Sequence, residues 1–157
     1  MFGFSQAAPK VGDKVPDVSA PLSDGTTFHL QEWLSKAPIV LYFYPKDDTP
    51  GCTTEACGLR DDIAAFRDLK ATVVGASYDS IESHQKFIAK YKLPFPLISD
   101  HEKTVSKAFG VSGLLFPSRA TFIIGKDGTL LYANLSVNPK KHSQEIRDVL
   151  ATLQVTP

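Results

Sequence analysis

The two residues best placed to do chemistry are Cys52 and Cys57, five positions apart and the only cysteines in 157 residues. A secreted disulfide scaffold would be smaller and would carry more of them. Two thiols this close in a mid-sized chain point either to redox chemistry or to half of a metal site. The residues before them are Pro45-Lys46-Asp47-Asp48-Thr49-Pro50-Gly51. Thr49-Pro50 reads as a helix N-cap followed by proline at the first helical position. Cys52 then falls in the first turn, where unpaired amides and the positive end of the helix dipole point. That environment favours a thiolate, the nucleophilic form of sulfur. Thr49 is expected to set its hydroxyl beside the sulfur. Pro45 is expected to end the preceding strand and to shield the pocket from bulk water, which strengthens local electrostatics.

The four histidines, His29, His84, His101 and His142, are scattered and show no paired spacing that would complete a zinc site. No metal and no cofactor is expected. No histidine is given a catalytic part, because a helix-terminal thiolate needs no histidine base. Tyr44 and Trp33 are expected to pack.

These residues need a scaffold, and the apolar pattern supplies one. Ile39 to Tyr44 is β-branched, aromatic and apolar on both faces, the mark of a buried central strand. After the loop, Ala56, Leu59, Ile63, Phe66 and Leu69 recur at helical spacing. Thr72 to Ser77 reads as a second buried strand. Asp79-Ser80-Ile81-Glu82 fits a capping box and opens a helix with Ile81, Ile88 and Tyr91 on one side. Pro94 stops it, and Pro96 to Ser99 reads as a third strand. Val105, Ala108 and Phe109 mark a short helix closed by Gly110. Arg119–Ile124 and Thr129–Tyr132 are strands joined across Gly125-Lys126-Asp127-Gly128. Asn138-Pro139 starts a last helix with Ile146, Val149, Leu150 and Leu153 on one stripe.

Upstream, Asp17–Leu22 and Thr26–Leu30 flank a Ser23-Asp24-Gly25 turn and read as a hairpin. Leu30–Ser35 is expected to form a short helix around Trp33. Residues 1–14 hold Gly3, Pro9 and Gly12 and little periodicity. They read as loose, with 1–11 the arm of a single 1–157 domain. The predicted class is therefore α/β, with a central mixed sheet, helices on both faces and an N-terminal hairpin.

Bulk properties agree. The apolar fraction is 43% and the charged fraction 22%, which suits a globular chain. Lys plus Arg and Asp plus Glu are 17 each, so no net charge favours nucleic acid or an anionic membrane as partner. The longest apolar run, Ile39 to Tyr44, is far short of the roughly twenty residues of a membrane helix. Met1 to Lys10 has no secretory pattern. A cytoplasmic placement is expected, or an organelle if a targeting segment has been removed.

The stretch from Phe43 to Cys52 resembles the active-site loop of the peroxiredoxins. Their pattern is proline, three residues, threonine or serine, two residues, cysteine, and it is met at Pro45, Thr49 and Cys52. Glu55 matches a further family position. Arg119, within Ser118-Arg119-Ala120-Thr121-Phe122, resembles the distant arginine that completes the site. The spacing of Cys57, with Thr53-Thr54-Glu55-Ala56 between, resembles the bacterioferritin comigratory protein or peroxiredoxin Q branch.

The resemblance implies a thioredoxin-like fold and a thiol peroxidase. In that reading Cys52 attacks the peroxide and becomes a sulfenic acid. Arg119, Gly51 and the Cys52 amide hold the substrate, with a hydrogen bond from Thr49, and Glu55 orients Arg119. Cys57 then resolves Cys52 into a disulfide that thioredoxin or a related dithiol reduces. The branch implies a monomer. Two other functions remain open: a thiol–disulfide oxidoreductase on the same fold, and a binding module that kept only the scaffold. The first prefers a two-residue spacing between its cysteines.

Geometry adds one expectation. Five positions apart on an α-helix, the Cα atoms are roughly 8.6 Å apart and the side chains about 140° apart around the axis. A disulfide tolerates at most about 7 Å. The helix start must therefore unwind near residues 49–60 before the cysteines can join, with Gly58 its weak point.

Overall fold

The computed structural model describes residues 8–154. Five strands form the central sheet: β3 (Ile39–Phe43), β4 (Thr72–Ser77), β5 (Leu97–Ser99), β6 (Ala120–Ile124) and β7 (Leu130–Asn134). Their order is β5-β4-β3-β6-β7. The β3–β4 and β4–β5 pairs are parallel, and β3–β6 and β6–β7 are antiparallel. A separate two-stranded hairpin, β1 (Ser19–Pro21) with β2 (Thr27–His29), precedes them. The helices are α1 (Leu30–Leu34), α2 (Pro50–Asp61), α3 (Ile63–Asp68), α4 (Ile81–Tyr91), α5 (Thr104–Ala108) and α6 (His142–Gln154). This is the mixed-sheet α/β architecture expected.

Alternation along β3 shows why its residues are apolar throughout. Ile39, Leu41 and Phe43 enter one core with the hairpin, α1 and α5. Val40, Tyr42 and Tyr44 enter the other with α2, α3, α4 and α6. Cys52 belongs to the second core. Trp33 is half-buried and packs edge-on against Phe28, 4.9 Å between ring centroids.

Gly75 in β4 is part of what positions Tyr42. A Cβ there would lie 2.8 Å from Tyr42 Cε1 and 2.8 Å from Leu97 Cδ2. Gly75→Ala should destabilise the fold by about 1–3 kcal/mol, as overpacked cores do. The urea midpoint measures it; an unchanged midpoint would mean that the Tyr42 ring yields freely.

Several local expectations are corrected. The apolar stripe from Ala56 to Leu69 does not lie on one helix. The chain breaks at Asp62 (φ −102°, ψ 10°), and Ile63 and Leu69 are only half-buried. Ser80 caps α4 by accepting from the Ser83 amide at 3.1 Å, and no capping box forms because Ser83, not Glu82, stands at the third helical position. The face of α4 that is buried carries His84 and Phe87, while Ile81, Ile88 and Tyr91 are half-buried. Asn138-Pro139 forms a turn, and the last helix starts at His142. Residues 1–7 of the expected arm lie outside the described residues. From Gly12 the chain is already tied down: its amide donates to Leu130 O at 2.8 Å, and Lys14 bridges to Thr129.

Candidate active site

The site forms where β3 ends. Tyr44 continues the pairing one residue past β3, its amide donating to Ala76 O at 3.1 Å. Pro45, half-buried, then turns the chain away and lines a cleft with Lys46, Tyr78, Asp79, Leu115 and Phe116. The loop is pinned on both sides. Buried Asp47 accepts from Tyr44 Oη at 2.6 Å, Ser83 Oγ at 2.8 Å and His84 Nδ1 at 2.7 Å. Asp48 adopts a left-handed conformation (φ 58°), tolerable for aspartate, and accepts from Lys90 Nζ and Tyr91 Oη at 2.7 Å each.

Asp47, Asp79 and His84 offer potential metal-ligand atoms within 4.8 Å of one another. Those atoms are already engaged. Asp79 Oδ2 accepts from the Asp47 amide at 2.9 Å and from Ser77 Oγ at 2.6 Å. The cluster is a hydrogen-bonded clasp between loop and α4.

Thr49 is the N-cap residue by backbone conformation (φ −88°, ψ 156°), but its side chain caps nothing. Its hydroxyl donates to Lys46 O at 3.0 Å rather than to the sulfur. Pro50 and Gly51 follow, so Cys52 is the third helical residue, among the amides that find no carbonyl within their own helix. Cys52 is 1% exposed and Cys57 is half-buried; both are free thiols.

The guanidinium arrives from far along the chain. Arg119, immediately before β6, directs Nη2 at Cys52 Sγ (3.3 Å) and Nη1 at Glu55 Oε1 (2.7 Å). Gly51 leaves room for it: a Cβ there would come 3.2 Å from Nη2. Antiparallel pairing of β3 with β6 makes this possible, because Phe43↔Ala120 register puts residue 119 at the strand end from which the Cys52 loop departs.

Glu55 is buried, one helical turn below Cys52. Burial pushes its carboxyl up from 4.5 to about 7, against the pull of Arg119. Burial also works against the charge on Arg119, but Glu55 and Cys52 outweigh it and hold the guanidinium above its ordinary value.

His142, to which the sequence gives no catalytic part, stands against Glu55. It is buried, with Nδ1 3.0 Å from Glu55 Oε2 and Nε2 2.5 Å from Thr121 Oγ1. Burial, helped by the Arg119 charge, lowers it from 6.5 to about 4. Gly51, Cys52, Glu55 and Arg119 therefore meet in one place, with His142 behind them. Pro45 and Thr49 stand on the loop just before, Pro45 beside Lys46 and Tyr78 and the Thr49 hydroxyl on Lys46 O. Cys57 lies on the same helix, with neither sulfur bonded to the other.

The AhpC/TSA family profile matches residues 11–133. The chloroplastic peroxiredoxin Q of Sedum lineare is 42% identical over 147 residues, covering 91% of this chain and 78% of that protein. The crystal structure of the peroxidoxin BcpB from Mycobacterium tuberculosis superposes with a TM-score of 0.86 at 38% identity, covering 95% of this chain and 99% of that one. The Xanthomonas campestris bacterioferritin comigratory protein, whose structures are described for alkyl peroxide reduction, gives 0.85 at 31% identity, covering 92% and 99%.

A thioredoxin-like sheet that delivers a buried cysteine to a helix start beneath a guanidinium belongs to one class of enzyme, the thiol-dependent peroxidases. The three proteins just described are named as members of the peroxiredoxin Q and Bcp branch of that class. The chain belongs to the AhpC/TSA family.

Proposed function

We propose that Cys52 is the peroxidatic thiol and that the cycle closes through a Cys52–Cys57 disulfide. The observation that carries this reading is the forked contact of Arg119, one nitrogen on Cys52 Sγ at 3.3 Å and the other on Glu55 Oε1 at 2.7 Å. The guanidinium that touches the sulfur can also hold the peroxide oxygens as charge moves onto them. The Cys52 amide is a second donor. Thr49 spends its one proton on Lys46 O, so toward a bound peroxide it acts as acceptor. Pro45 would shelter the sulfur from the strand-end side, and Gly51 admits the guanidinium.

The thiolate attacks one peroxide oxygen and the O–O bond breaks. The other oxygen leaves with a proton as water or alcohol, and Cys52 holds a sulfenic acid. Cys57 sulfur then displaces that oxygen as water, forming the disulfide. An external dithiol, thioredoxin or a relative, restores both thiols by exchange.

The substrates are hydrogen peroxide and organic hydroperoxides, the Xanthomonas campestris relative being described for alkyl peroxide reduction. A monomer is the proposed working state. Among the described residues no helix is long and apolar enough to cross a membrane. A reducing compartment, cytoplasmic or organellar, suits the dithiol step; the Sedum lineare relative is named as chloroplastic.

Trypsin should cut after Lys46 and Arg60, leaving both cysteines in one peptide. After one equivalent of peroxide that peptide should lose two hydrogens in mass. A gain of oxygen would remove Cys57 from the resolving role, and an unchanged mass would overturn the reading.

A further inference from the structure

His142 opens α6, and both of its ring nitrogens face the site. Nδ1 and Glu55 Oε2 lie 3.0 Å apart, off the N–H axis, and neither has an aligned partner among the described residues. Two buried polar atoms left unpaired are costly, and a small ring rotation joins them.

The hydroxyl of Thr121 donates or accepts, and so does a neutral imidazole through its two tautomers. The row Thr121–His142–Glu55 can therefore run either way. With Glu55 ionised, Thr121 donates to Nε2 and Nδ1–H donates to Oε2. With Glu55 protonated, Oε2–H donates to Nδ1 and Nε2–H donates to Thr121. Oε1 stays with Arg119 in both.

We infer that His142 is a positioning residue of the peroxidase site, a two-way hydrogen-bond partner that satisfies Glu55 Oε2 with or without a proton and so keeps Arg119 over Cys52. The inference rests on the roles proposed for Cys52 and Arg119 above. The placement suits the neutral range. Glu55 titrates near 7, so a partner able only to donate or only to accept fails on one side of it. His142, lowered to about 4, is neutral there. The titratable groups facing the pair are Arg119 from the approach to β6, Cys52 from α2 and Tyr42 from β3. Tyr42 keeps its proton, since burial and then Glu55 and Cys52 push it well above its usual value.

The test is the second-order rate of Cys52 thiol loss under hydrogen peroxide, by quenched flow between about pH 5.5 and 8.5. Leucine cannot partner Oε2, so Glu55 holds its proton longer. His142→Leu should lower the rate about tenfold at neutral pH, a fraction of what a direct oxyanion donor supplies. The deficit should shrink toward the alkaline end. Combined with Glu55→Gln, the same replacement should change the rate by a factor independent of pH. A merely structural role would lower thermal stability and leave the profile parallel to that of the unsubstituted chain; parallel profiles overturn the inference. Nitrogen NMR of the unsubstituted protein needs no variant to fold. The proton of His142 should move from Nε2 to Nδ1 as Glu55 ionises, and a fixed tautomer also overturns it. Absence of Cys52 thiol loss in the unsubstituted chain would be a different result, the failure of the peroxidase roles themselves.

Discussion

Oxidation by one equivalent of peroxide should speed amide exchange across Pro50–Asp61 by about 100-fold or more, while Ile63–Asp68 keeps its protection. The reason is distance. Cys52 and Cys57 share α2, where five helical positions separate Cα atoms by roughly 8.6 Å, beyond the span of about 7 Å that a disulfide tolerates. At least one turn must open. Its bonds include Thr53 N to Thr49 O at 2.8 Å and the Thr54 hydroxyl to Pro50 O at 3.0 Å. Opening also pulls Glu55 from Arg119, so the guanidinium leaves a sulfur that no longer needs it.

The break at Asp62 should confine the change. Ser143 Oγ donates to Asp62 Oδ2 at 2.6 Å, and Arg147 lies 3.4 Å from the same oxygen, so α6 anchors the chain where α2 ends. A 12-residue helix is marginal alone, and what holds α2 is its apolar face of Ala56 and Leu59. Hydrogen exchange with mass spectrometry compares reduced and oxidised protein, with Cys52→Ser as the control that should not change. Equal protection of Pro50–Asp61 in both redox states would mean that the cysteines pair by another route, or not within one chain.

Legibility followed sequence distance. The loop from Pro45 to Cys52 was readable because its physics is local: a strand stop, a cap and a proline at the first helical position. Even there the pattern placed Thr49 and not its hydroxyl, which turned to Lys46 O. Arg119 came through resemblance alone, since only the β3–β6 register explains why residue 119 reaches residue 52. His142 had no signal at all. It is a lone histidine at a helix start, and its partners Glu55 and Thr121 meet it only because α6 packs across α2 and β6. His84 was invisible for the same reason, its contacts running to Asp47 and Ile98 O. The stripe from Ala56 to Leu69 misled in the opposite way. Apolar period survives a break in the helix, and the doublet Asp61-Asp62 was the one local hint of it.

Glu55→Gln should change how stability depends on pH, and the sign follows from the two buried groups that meet there. Glu55 is raised from 4.5 to about 7. Such a group lends stability below its unfolded value and loses it as pH rises through about 7. The loss amounts to about 3 kcal/mol, an order-of-magnitude figure. His142 is lowered from 6.5 to about 4, so its contribution is present above 6.5 and is lost as pH falls through about 4. In the unsubstituted chain the two slopes oppose each other between about pH 4 and 7 and largely cancel. Glutamine removes the first slope and leaves the second. Relative to the unsubstituted chain, the variant should gain about 3 kcal/mol between about pH 4.5 and 7.5, read by urea unfolding at a series of pH values. The ion pair with Arg119 forms only as Glu55 ionises and is already contained in the value of about 7, so the slope is the test. Parallel curves would mean that Glu55 titrates normally. Peroxide reduction should meanwhile fall, because Arg119 loses the charge that aims it at Cys52. A carboxylate that lowers stability at working pH is kept, on this view, for the guanidinium it holds.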